Sequence, residues 1–453
     1  MPSSVFNSLL LPDLILMIDE QDDAGLKEFC EALYAGVVAE VLEGLPPEQT
    51  WQVLQHCAPQ RQAEIFSFFS LSDQVRLVET IDRRNLSRLI EEMSPDDRVD
   101  LLERLEPEQV ESLLPLIAQA ERADIRKLLS YPEESAGSIM TTEYASLPAD
   151  ITVQEALARL RVQAPSRETI YYVYITDEGR HLIGFLSLRK MIVARPTTKL
   201  SEIMERDVIC VRVDDDQEFV ANEISRYDFI AIPVVDNQNR LVGIVTHDDA
   251  ADVLQEEATE DAHLLAAVHP LEDGYVATPF FELAWKRGIW LVILLGAASL
   301  TAQVLGYFES TEDRNWMVLF IPMVLASGGN AGSQSATLVI RALALDETHG
   351  RIRWIAWREV RIGAFLGSIL ATLSVCVAFL LVGLVPSYVV GLTVFFVVTA
   401  GTVAGAMLPL GLQNLGMDPA FMSNPLIAAL SDILGVIIYY NMARLFVGMA
   451  VGG

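Results

Sequence analysis

The sequence predicts a multidomain membrane protein, with an all-α superhelical N-terminal domain, a paired α/β module and an all-α membrane domain of five transmembrane helices. Three observations predict it. From Ile289 onward there are five apolar segments, each long enough to cross about 30 Å of hydrocarbon at about 1.5 Å per residue. Upstream, one β-rich stretch is repeated within the next seventy or so residues, and before it a turn-and-helix pattern recurs about every twelve residues. Charge divides the chain in the same way: 53 acidic and 23 basic residues precede Ala284, against 8 and 9 from there on.

The net charge of −29 therefore lies in the first part. Such a surface repels phosphate backbones, which excludes nucleic acid as a partner and favours cations. Cys30, Cys57, Cys210 and Cys376 are scattered without a CxxC, as in a reducing compartment. Met1 to Glu20 has no Lys or Arg ahead of its leucines and carries Asp13, Asp19 and Glu20, so it does not read as a signal peptide.

Residues 1–131 form the helical domain. LPPEQ at Leu45, CAPQR at Cys57, LSDQ at Leu71, MSPDD at Met93 and LEPEQ at Leu105 each open a short helix, with Ser94 as a cap and Pro95 in the first helical position. Such units stack into a superhelix. Residues 132–200 and 201–256 are the two α/β modules: Ile139-Met140 recurs as Ile203-Met204, and YYVYITDEGRHLIGFLS from Tyr171 as IPVVDNQNRLVGIVT from Ile232. A helical connection occupies 248–278, its helix expected over Asp248 to Ala267.

In the membrane domain, 279–453, the expected spans are Ile289 to Phe308, Trp316 to Ile340, Gly363 to Val385, Val389 to Leu412 and Pro425 to Val451. Lys286 and Arg287 precede the first, and Arg341, Arg351, Arg353, Arg358 and Arg361 lie between the second and third, which places the N-terminus in the cytoplasm and the C-terminus outside. Two features depart from a passive anchor. SGGNAGSQS, Ser327 to Ser335, either bares backbone carbonyls and amides to a wet cavity or packs small residues against a neighbouring helix. Asp432 is the one acid well inside an expected span, where a carboxylate marks a functional site unless Arg341 or Arg444 pairs with it. Asn424, Ala428 and Asp432 share a stripe that Gly435 and Tyr439 continue. Oxygen ligands without sulfur or imidazole suit a hard ion such as Mg²⁺.

GGNAGSQS (Gly328 to Ser335), GMDPAFMSNPL (Gly416 to Leu426) and SDILG (Ser431 to Gly435) resemble the MgtE family of magnesium channels, and the likeness runs over nearly the whole chain. The resemblance implies a homodimer in a bacterial plasma (inner) membrane, with one pore lined by the second and fifth spans. Asp432 would be its ion site, with Asn424, Ala428, Asn330 and Gly328 lining the pore. It makes the paired modules CBS modules and the connection a plug helix. It also implies regulatory Mg²⁺ held by Glu64, Asp96, Asp100, Asp216, Glu218, Asp228, Asp249, Asp252, Glu257, Glu260 and Asp261, with Asp418 as the membrane-side partner. CBS pairs bind adenosine nucleotides, which would place ATP among Tyr172, Arg189 and Phe229, but Lys190 stands where an acid would bond the ribose and argues against it.

The function expected is gated Mg²⁺ uptake. The alternatives are a membrane receptor or scaffold, or a transporter of Co²⁺, Mn²⁺ or Ca²⁺. An enzyme is not expected, since the chain has no phosphate-cradling glycine loop with Lys and no HExxH.

Overall fold

The computed structural model describes residues 5–271, 275, 278–309, 315–344, 348 and 351–451. They fall into two compact units, Met1–Glu256 and Glu257–Gly453.

In the first unit, short helices from Val5–Glu20 to Gln119–Leu128 stack around a common apolar core that includes Leu26, Leu42, Leu54, Phe66 and Leu89. Pro47, Pro59, Pro95 and Pro107 each open a helix, where proline's missing N–H costs nothing. The Ser94 side chain makes no capping bond, contrary to expectation, and the helix Pro95–Arg104 starts on proline geometry and the acids Asp96 and Asp97. A helix that the repeat did not announce, Arg83–Glu92, is capped by Asp82, which accepts from the N–H groups of Arg84 and Asn85.

Two three-stranded sheets follow. In the first, β1 (Tyr144–Pro148) runs parallel to β2 (Thr169–Thr176), which pairs antiparallel with β3 (Leu182–Ser187). In the second, β4 (Val211–Arg212), β5 (Ala231–Val235) and β6 (Leu241–Thr246) repeat that order. Tyr174 and Leu182 of one sheet share a core with Ala231, Leu241 and Ile244 of the other, so the duplicated stretches bury each other. The helix His247–Leu265 leaves β6 and runs on into the second unit, two residues short of the end expected at Ala267.

Among its described residues the second unit holds five helices long and apolar enough to span a bilayer: Phe280–Glu309, Asn315–Ala344, Ile352–Val382, Leu384–Asn414 and Asn424–Val451. The fourth is the most buried and forms the centre of the bundle through Val389, Val390, Val394, Val397 and Val398. Gly383 alone separates the third helix from the fourth, at φ 90° and ψ −173°, a conformation open only to glycine. The third helix begins eleven residues before the expected Gly363. Glu359 therefore lies inside a spanning helix, and Asp432 is not the sole acid in the bundle's helices.

SGGNAGSQS is continuous α-helix. A methyl group on Gly405 would collide with the Gly332 carbonyl, and one on Gly401 would come within 2.6 Å of the Gly328 carbonyl. Two glycine pairs at i, i+4 therefore bring the second and fourth helices into backbone contact. Gly405→Ala is expected to destabilise the bundle by roughly 1–3 kcal/mol, the usual cost of overpacking. Gly411→Ala, with nothing within 4 Å of the added carbon, should leave the thermal unfolding temperature in detergent unchanged.

Candidate functional site

The fifth helix starts at Asn424 and is fastened there to the second. Ser333 Oγ donates to the Asn424 carbonyl at 3.0 Å, and Thr337 Oγ1 donates to Asn424 Oδ1 at 3.1 Å. One turn on, Ala428 faces Gly329, where even an added Cβ would meet it at only 3.4 Å, ordinary van der Waals contact. One turn further comes Asp432, half-buried, without a hydrogen bond or ion pair to any described residue. The two arginines expected as its partners lie elsewhere: Arg444 is 5.9 Å from the Phe308 ring centre, and Arg341 is beside Asp261. On the second helix, Asn330, Gln334 and Thr337 are exposed while Gly328, Gly332 and Ala336 are buried. The structure thus brings Ser333, Thr337 and Gly329 of the second helix to the stripe of the fifth, leaves the Asn330 and Gln334 amides exposed, and turns Gly328 toward the fourth helix. The reason is steric, because without a side chain Gly328 is where the second helix can touch Gly401.

Glu359 was missed in the sequence. Its Oε2 accepts from Ser335 Oγ at 2.7 Å, and its carbonyl accepts from Thr402 Oγ1 at 3.4 Å, so it ties the third helix to the second and fourth.

The lower part of the helix His247–Leu265 is docked on the bundle. Leu264 packs with Ala336, Ile340, Ala420 and Ile427. Three residues before it, burial raises the Asp261 carboxyl above the usual range and the neighbouring Asp418 raises it further, while Arg341 opposes both. Asp418 Oδ1 also accepts from the Ala420 N–H at 2.8 Å, which holds the turn before the fifth helix.

The first unit contains the larger acidic cluster. Asp96, Asp97 and Asp100 on Pro95–Arg104 meet Asp248, Asp249, Asp252 and Glu256 on the upper part of His247–Leu265. Burial is the main cause of each shift and like charge adds to it. Asp100 is pushed up to about 7 and Asp249 to about 6. Asp96 rises well above the carboxylate range, and its Oδ1 is buried without a protein partner. Thr246 donates to Asp249 through Oγ1 and so moderates its rise. Glu168, pushed up to about 7, also belongs to the cluster, with Glu143 as its neighbour. A lone Glu before a strand gave no sign of this. Among the described residues no three His, Cys, Asp or Glu side chains form a ready-made metal cage.

Other expected ligands have structural work. Glu64 pairs with Arg61 at 2.8 Å. Asp216 caps Gln217–Tyr227 by accepting from the N–H groups of Glu218 and Phe219. Asp228 ends that helix in the left-handed region, at φ 53°. Glu218 lies in its first turn, and Glu257 and Glu260 lie on His247–Leu265. Tyr172 and Phe229 line a cavity of about 270 Å³ with Tyr174, Phe185 and Tyr227. Arg189 does not line it: it sits with Lys190 at a second, more open hollow, and Lys190 pairs with Glu205 at 3.1 Å.

Helices that span a bilayer, a polar stripe with an unpaired carboxylate and an acidic soluble part define a membrane transporter of cations. Family models agree with this class: divalent cation transporter over 321–442, MgtE intracellular N domain over 33–134, and CBS domain over 136–196 and 200–256. The chain is 40% identical over 431 residues to a magnesium transporter MgtE of Thermus thermophilus, an alignment spanning 89% of this chain and 88% of that one. It is 39% identical over 329 residues to that of Enterococcus faecalis, covering 72% of each. Two solved structures match its soluble part. One is the soluble part of a magnesium transporter, with TM-score 0.53, 35% identity and coverage of 56% of this chain and 99% of that one. The other is the cytosolic domain of the Mg²⁺ channel MgtE in complex with ATP, with TM-score 0.52, 39% identity and coverage of 54% and 100%. The chain belongs to the MgtE family.

The acidic cluster has a titration signature. Its raised carboxyls bind protons more tightly folded than unfolded, where they titrate near 4. The contribution of this cluster to stability is therefore fully present below about pH 4 and is lost progressively as pH rises through about 6 to 7. Thermal unfolding of the chain in magnesium-free buffer should show this slope, and Asp100→Asn with Glu168→Gln should flatten it.

Proposed function

We propose that the chain carries Mg²⁺ across the bacterial plasma membrane as a homodimer, and that cytosolic Mg²⁺ closes it. The observation that carries this reading is Asp432: a carboxylate in a spanning helix, without a cation partner among the described residues, one turn from Ala428 and two from Asn424. A charge so placed must keep water beside it, and a hydrated Mg²⁺ is the cargo that such water and carboxylate oxygens accept. A second copy of Asp432 across a two-fold axis would match the ion's double charge. Asn330, Asn424 and the Ala428 backbone would border the same passage. The basic residues before the first and third helices support an N-terminus in the cytoplasm and a C-terminus outside.

Residues 1–131, 132–200 and 201–256 act in this reading as the helical domain and the two CBS modules, 248–278 as the plug connection and 279–453 as the pore. Two carboxylates about 5 Å apart repel by about 3 kcal/mol at an effective dielectric of 20. Mg²⁺ between Asp96, Asp97 and Asp100 on one side and Asp249, Asp252 and Glu256 on the other would replace that repulsion with attraction. Reversing a gate from 1:99 to 99:1 needs about 5.5 kcal/mol of differential binding, within reach of a few weak sites. Asp216, Glu218, Asp228, Glu257 and Glu260 are proposed as further sites, and Asp261 with Asp418 as the one nearest the pore. ATP is given no step, since Lys190 is tied to Glu205 and Arg189 lies outside the cavity of Tyr172 and Phe229.

In proteoliposomes, Mg²⁺ influx should fall at least about tenfold in Asp432→Ala, the loss expected when a transported cation loses about 1.4 kcal/mol or more of stabilisation. Full flux in that variant would defeat the reading and favour a receptor whose helices only anchor. Millimolar internal Mg²⁺ should slow the wild type and protect the soluble unit from protease, and Asp97→Asn with Asp249→Asn should weaken both effects. Comparing Mg²⁺ with Co²⁺, Mn²⁺ and Ca²⁺ decides the cargo.

A further inference from the structure

The third spanning helix is too long for the membrane it crosses. Ile352–Val382 has 31 residues, a length of about 46 Å at about 1.5 Å per residue, against about 30 Å of hydrocarbon. The surplus of about ten residues lies at the amino end, because the helix stays apolar to Val382. Residues 352–361 therefore stand in the headgroup layer.

That segment carries a basic and aromatic surface. Arg353, Trp357 and Arg361 recur every fourth residue, and Trp354 and Arg358 run beside them, so all five share one side of the helix. All five are exposed, Trp354 by 56% and Trp357 by 63%. Arg358 stacks over Trp354 at 5.2 Å from the ring centre. Arg351, Arg353, Arg358 and Arg361 have no carboxylate partner among the described residues. The one acid of the segment, Glu359, is turned inward to Ser335. Orientation by positive charge alone does not require this arrangement, and on the first spanning helix one of the two basic residues, Lys286, is committed to the protein while Arg287 is exposed singly. There Lys286 pairs with Glu282 at 3.2 Å and donates to the Pro270 carbonyl at 2.8 Å, so its charge is used within the protein.

The geometry points to a binding site for the phosphodiester headgroup of an anionic phospholipid on this side of the third helix. Arg353 and Arg361 are about 12 Å apart along the axis, a span that matches the headgroup layer. Guanidinium groups bind phosphate through paired N–H donors, and the two tryptophans fix the depth of the helix at the interface. The site is independent of which ion the chain carries.

The test uses the full chain, delipidated in detergent and titrated with phosphatidylglycerol or phosphatidylcholine, with bound lipid counted by native mass spectrometry. The wild type should prefer phosphatidylglycerol. Arg353→Gln with Arg361→Gln should lower that affinity roughly 25-fold, at about fivefold per arginine, whereas Arg353→Lys with Arg361→Lys should retain most of it. Arg287→Gln, a basic site on another helix, should change it less than about twofold. Equal phosphatidylglycerol binding by wild type and the glutamine variant would overturn the site, as would an equal loss in Arg287→Gln. Displacement of the lipid by millimolar inorganic phosphate would overturn it too, by showing a site for the free anion.

Discussion

A carboxylate with no cation beside it must either keep water or take up a proton, and this requirement governs both compact units. In the soluble unit it is met by crowding: Asp96, Asp100, Glu168 and Asp249 hold protons at pH values where isolated carboxyls have lost them. Packing Pro95–Arg104 beside His247–Leu265 thus raises the affinity of these carboxyls for protons. In the membrane unit Asp432 has no acidic or basic partner among the described residues.

Glycine backbone contact makes the second arrangement workable. With Gly328 and Gly332 pressed against Gly401 and Gly405, the second helix is held by its backbone, and its side chains on the opposite side are released from packing duty. Asn330 and Gln334 can then stay exposed without loosening the bundle. Ser333 and Thr337 add the polar fastening to Asn424 that keeps the fifth helix in register with the second.

The spanning helices were legible because apolar length is a one-dimensional property. Their ends were not, because a helix continues past the hydrocarbon wherever its residues permit, as Ile352 to Ile362 do with arginine and tryptophan; Glu359 was overlooked for that reason. The glycine run left two readings open, since the deciding partner, Gly401 with Gly405, is remote in sequence and visible only on folding. Among the acids, Asp96, Asp100, Asp249 and Asp252 could be read from clustering along the chain, while Glu168 joins them only through the sheet that begins at Thr169. Asp216 and Asp228, in similarly acidic stretches, also serve the ends of one helix, a role that charge density does not reveal.

Gly383 has a consequence for how the bundle is made and altered. With one residue between them, the third and fourth helices have no slack on that side of the membrane, so neither can slide or rotate without dragging the other. They form a hairpin of fixed phase. Even a single inserted residue at this bend would turn one helix by about 100° relative to its mate, and the valines and glycines that now meet the second helix would point into lipid.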